Sequence, residues 1–123
     1  MLRNIIGVML GIAMLLLPSY TGAEISHAKV LEQVASVEAQ YFDYYGQFGS
    51  KDDIEVGINN NIFKAFSNNV EVSPRDDYVV LTYGNDSVYV LSSEKHLMSP
   101  EDVKGISDSL GISNATYEVH RGG

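Results

Sequence analysis

Apolar residues recur at helical spacing between Glu24 and Phe48. Val30, Val34, Val37, Tyr41, Tyr44 and Phe48 follow one another at intervals of 4, 3, 4, 3 and 4 residues, which places them along one stripe of a helix. Leu31, Ala35, Phe42 and Tyr45 widen the stripe, whereas Glu32, Glu38 and Asp43 fall off it and are expected to face water. Such a stripe has to bury against something, and in a small mixed domain a sheet is the natural partner. The six stripe residues are therefore the candidate core or interface positions. Tyrosine is enriched at protein interfaces, so the crowding of Tyr41, Tyr44 and Tyr45 at the helix end fits either core packing or a contact surface. Gly46 and Gly49 are expected to end the helix, since glycine readily takes the left-handed cap conformation.

Further along, two periodicities overlap. Ile54, Val56 and Ile58 alternate as in a strand, while Ile54, Ile58, Ile62 and Phe66 are spaced by four as in a helix, and period alone leaves both readings open. Asn59-Asn60-Asn61 and Asn68-Asn69 read as loops. Val70 to Val72 reads as a short strand that breaks at Ser73-Pro74. Tyr78–Tyr83 and Ser87–Leu91 flank Gly84-Asn85-Asp86, the pattern of a β-hairpin. Ser99-Pro100-Glu101-Asp102 is a helix start, with Ser99 as cap and Pro100 at the first helical position. Val103, Ile106 and Leu110 form its expected apolar face, Gly111 its stop, and Ala115–His120 a last strand. The expected fold is α+β: a long N-terminal amphipathic helix packed on a small antiparallel sheet, with a short C-terminal helix.

The first 23 residues have a different character. Arg3 is their one charged residue, and Ile5–Leu17 is an uncharged apolar run of 13 residues. As a helix it would span ~20 Å, against the ~30 Å hydrocarbon core of a bilayer. A basic start, an apolar run of this length and the small residues Thr21-Gly22-Ala23 describe a secretory signal, cut between Ala23 and Glu24. An uncleaved anchor is the competing reading, because Ile5–Ala23 gives 19 uncharged residues and Arg3 would hold the N-terminus in the cytoplasm. Both put residues 24–123, a single α+β domain, outside the cytoplasm: periplasmic, secreted or anchored to the inner membrane.

Charge and chemistry narrow the function. From Glu24 onward the chain carries 7 basic and 16 acidic side chains, a formal charge of −9. That surface repels phosphate backbones and anionic lipid, so no nucleic acid is expected as a partner, and the membrane only through residues 5–23. With no cysteine, disulfides and thiolate metal sites are excluded. His27, His96 and His120 lack ligand spacing, and the acidic groups Asp52-Asp53-Glu55, Asp76-Asp77 and Glu101-Asp102 lack the loop pattern of a calcium site. No nucleophile elbow or phosphate-binding glycine loop is present. Catalytic residues, metals and cofactors are accordingly expected to be none, and the chain is read as a non-enzyme with a protein partner.

One resemblance is visible. Leu15-Leu16-Leu17-Pro18-Ser19-Tyr20 leads into a long amphipathic helix with Ala28-Lys29-Val30-Leu31-Glu32, which closes on Tyr41-Phe42-Asp43-Tyr44-Tyr45-Gly46-Gln47-Phe48-Gly49. This is similar to type IV pilins and pseudopilins, although the prepilin cleavage motif is absent. The resemblance implies an antiparallel sheet packed on the helix, and a structural or accessory subunit of a type IV pilus or related secretion apparatus, assembling with itself or with other components. The alternative is a soluble secreted or periplasmic binding or inhibitor domain with a cleaved signal peptide.

Overall fold

The structure, a computed structural model, describes residues 26–122. The junction Ala23–Glu24 and the apolar run before it lie outside the described residues.

Helix α1 (His27–Tyr45) starts where Ser26 accepts a hydrogen bond from the Lys29 N–H and stops at Gly46, which adopts φ 78° and donates its N–H to the Phe42 carbonyl. The stop falls before Phe48, so Phe48 is not on the helical stripe. It lies past the turn, where the chain doubles back and buries its ring 4.5 Å from that of Phe42. The ambiguous region resolves as helix. A single turn α2 (Lys51–Ile54) runs into a 3-10 turn (Glu55–Gly57) and then α3 (Asn60–Asn69). Ile54, Ile58, Ile62 and Phe66 are all buried, so the period of four was the meaningful one. The loop reading of the asparagines is corrected here. Asn59 caps α3 by accepting from the Asn61 N–H, and Asn68 and Asn69 form its last turn.

Four strands follow: β1 (Val70–Pro74), β2 (Tyr78–Tyr83), β3 (Ser87–Ser93) and β4 (Ala115–His120), in the spatial order β1-β2-β3-β4. β1 runs on through Ser73 and Pro74, and Pro74, at the end of an edge strand, loses no interior ladder bond. β2 and β3 form the expected hairpin, with Tyr83 opposite Ser87 and Gly84 at φ 53°. The sheet is not antiparallel throughout. β4 pairs parallel with β3, Val90 opposite Tyr117, because the connection between them is a full crossover carrying helix α4 (Pro100–Leu110). This helix has 11 residues and is followed by a strand, so it is an inserted crossover and not a short C-terminal helix. The fold is α+β with a mixed four-stranded sheet.

The crossover puts apolar packing on both faces of the sheet. Val79, Leu81, Tyr89 and Leu91 share a core with Val30, Leu31 and Val34 of α1 and with Ile62 and Phe66 of α3. On the other face Val80, Val88 and Val90 pack with Ile112, Ile106 and Met98. β3 is buried along its whole length, as expected for a strand covered on both sides. The apolar face of α4 is rotated from the expected one: Ser107 is buried, Leu110 is exposed, and Ile112, just past the Gly111 stop, takes the core position.

Candidate interaction surface

α1 is longer than the sheet surface that it covers. Val30 and Val34 are fully buried on that surface, Val37 and Tyr41 are half-buried, and Tyr44 is 82% exposed. The candidate stripe therefore begins as core and ends as surface. Its second half is met by α2 and the 3-10 turn, which are held in place by backbone contacts. Ser50 and Asp53 form a capping box, each side chain accepting from the other's backbone N–H. Gly49 packs so tightly that a methyl at its Cα would lie 2.9 Å from Tyr41 Cε1 and 3.0 Å from Asp53 Cβ. At Gly57 a methyl would meet Val37 Cγ1 at 2.9 Å. Two close backbone approaches thus fix this segment against α1.

Behind the contact lies Glu38. It was expected to face water, but it is fully buried. Position 38 falls one turn after Ala35 and two turns after Leu31, on the half of the helix that the widened stripe had already turned inward. Its Oε1 accepts the Gly49 N–H at 2.7 Å, and Oε2 is buried without a partner. Burial is the main influence on this carboxyl and the nearby negative charge of Asp53 adds to it. Together they outweigh the Gly49 hydrogen bond and raise its pKa from 4.5 to about 7. Asp53 itself stays below the usual carboxylate range because the Ser50 N–H and hydroxyl and the Tyr41 hydroxyl favour its ionised form. Tyr41 is held above its usual range, first by desolvation and then by the charge of Asp53.

Between α1 and residues 53–57 runs a groove of about 420 Å³, its walls including Val37, Gln40, Tyr41, Tyr44, Asp53 and Val56. The rings form a continuous ridge: Tyr41 and Tyr45 lie 4.4 Å apart, and Tyr44 meets Tyr45 edge-on at 5.0 Å. Tyr45 is 60% and Val56 94% exposed. Helical spacing had pointed to Tyr41, Tyr44 and Tyr45. Val56 and Asp53, from a second segment, had no such signal.

Elsewhere the polar residues singled out from the sequence take structural places. His27 stacks on Tyr83 at 3.9 Å and pairs with Asp86 at 2.7 Å, which draws the Asp86 carboxyl below its usual range. His120 pairs with Asp43 at 2.7 Å, so the two ends of α1 are tied to the β2–β3 turn and to β4. His96 stacks on Tyr78 beside a larger polar cleft of about 750 Å³ that also involves Arg75 and Asp77. Asp102 completes a capping box with Ser99. Among the described residues no three His, Asp or Glu side chains are grouped to hold a metal ion, and no helix is long and apolar enough to cross a membrane. No family model matches the chain, and no curated protein or solved structure is significantly similar to it.

Proposed function

We propose that this chain works outside the cytoplasm as a protein-interaction domain, without enzymatic activity, and that the end of α1 together with residues 53–57 is its docking surface. The observation that carries this reading is the joint exposure of Tyr44, Tyr45 and Val56 around one groove. Singly exposed apolar residues are ordinary, but a contiguous aromatic patch marks a contact surface. The groove is also braced: Gly49 and Gly57 let the second segment lie close against α1, the Gly49 N–H donates to Glu38 across that contact, and the Ser50–Asp53 capping box fixes α2 itself. A pre-formed surface lowers the ordering cost of binding. The leader ahead of Glu24 supports the extracytoplasmic place. A photo-crosslinking residue substituted for Tyr44, compared with one at exposed Lys104 on α4, tests the reading in the producing cell. A discrete heavier species from position 44 alone is expected; equal yields from both positions would overturn it.

A pilin-like subunit is the second reading. It is supported by an amphipathic helix laid on the antiparallel strands β1–β3, while the parallel β3–α4–β4 crossover departs from an antiparallel head. This reading needs Ile5–Leu17 retained as a membrane or filament helix. Intact mass of the separated membrane and soluble fractions decides it. A soluble product beginning at Glu24 excludes the pilin-like subunit, and a membrane-held product retaining Ile5–Leu17 favours it.

A further inference from the structure

The groove differs from a plain apolar patch in its charge. Asp53 forms part of its wall, and Asp52 and Glu55 stand exposed on the same short segment. The one basic residue of that segment, Lys51, is turned elsewhere: its Nζ donates to the Ser67 carbonyl at 3.0 Å and lies 5.3 Å from the centre of the Phe66 ring. Hydrogen bonds from the Ser50 N–H and hydroxyl keep Asp53 ionised across the neutral range. A tyrosine ridge beside a carboxylate wall suits one kind of occupant. Arginine and lysine stack their stems and charged heads on aromatic faces, and a carboxylate adds a charge-assisted hydrogen bond. Acidic partners are opposed by the same wall and by the −9 charge of residues 24–123. The volume of about 420 Å³ takes a few side chains, not a folded domain.

Resting on the interaction reading above, we propose that the groove binds an extended peptide segment of a partner protein in which an arginine or lysine neighbours an apolar residue. The apolar side chain seats against Val37, Tyr44 and Val56, and the basic one lies along the tyrosine ring faces towards Asp53. Gln40, also on the groove wall, offers both a donor and an acceptor to the peptide backbone.

The test is selection from a random dodecapeptide library on the full-length chain, followed by titration of the selected peptides. Tyr44→Ser and the double variant Asp52→Lys/Glu55→Lys change only exposed positions, and circular dichroism checks that each folds. The expected result is enrichment of peptides with arginine or lysine beside an apolar residue, whose binding weakens at least tenfold in both variants. Enrichment of acidic or uncharged peptides that lose binding with Tyr44→Ser would overturn the basic-segment proposal and leave the docking surface standing. Selected peptides indifferent to Tyr44→Ser, no enrichment, or self-association through the groove in place of peptide binding would overturn the proposal; the first two would also remove the support for the docking surface.

Discussion

The backbone N–H of Gly49 donates to Glu38 Oε1 at 2.7 Å, and the other oxygen of that carboxyl is buried with no partner. The pair joins α1 to the chain just ahead of α2, which leads into the opposite wall of the groove. A proton on Oε2 removes a buried charge and leaves the Gly49 bond in place.

That geometry fixes a pH dependence. The Glu38 pKa is raised in the fold, from 4.5 to about 7, so between those values the native chain holds a proton that the unfolded chain releases. Stability is fully present below about pH 4.5, as far as this group is concerned, and falls as pH rises through about 7. The fall is on the order of 3 kcal/mol, the free-energy equivalent of that shift. Urea unfolding between pH 5 and 8 should show it, and Glu38→Gln should remove the slope. The slope is the readout and not the absolute level, because the new amide N–H has no buried acceptor. A wild-type profile without a decline over that range would contradict the account.

Gly49 is required for space and not for backbone conformation, since φ is not positive there. Gly49→Ala forces its methyl into Tyr41 Cε1 and Asp53 Cβ and should destabilise the fold by about 1–3 kcal/mol, the usual effect of overpacking. Thermal unfolding measures it. A neutral result would mean that α2 and α1 are not held as tightly as the groove needs.

The rotated face of α4 yields a contrast between near neighbours. Ile112→Ala should cost about 2–5 kcal/mol, as a buried position under β2 and β3. Leu110→Ser should change stability by no more than about 0.5 kcal/mol, because that side chain is exposed. Chemical denaturation of the two variants separates the faces. Comparable losses would restore the Val103–Ile106–Leu110 face expected from spacing.

The contrast also shows what could be read from the chain. Caps and turns were legible because they are local: Ser99 and Pro100 start α4, Gly46 and Gly111 stop helices, and Gly84 turns the hairpin, each for reasons held within four residues. The parallel pairing of β4 could have been read too, since a strand, a helix and another strand in succession describe a crossover. The burial of Glu38 was legible in part, since it follows Leu31 and Ala35 on the widened stripe, but its hydrogen bond was not. Its acceptor role depends on Gly49, 11 residues away across the helix stop, and spacing along one helix carries no information about that neighbour. The candidate surface divides the same way. Tyr41, Tyr44 and Tyr45 share a helix, and their clustering was visible. Val56 and Asp53 join them only because Gly49 and Gly57 let a second segment approach.

The central claim is that the tyrosine ridge is covered by a partner where the protein works. Hydroxyl-radical labelling of tyrosines, read by mass spectrometry, tests it directly on the purified full-length chain and on the producing cells. In the purified chain Tyr44 and Tyr45 should label strongly and buried Tyr89 weakly. In the cells the account predicts that Tyr44 and Tyr45 become several-fold less reactive while Tyr89 is unchanged. Equal labelling of Tyr44 in both settings would contradict it.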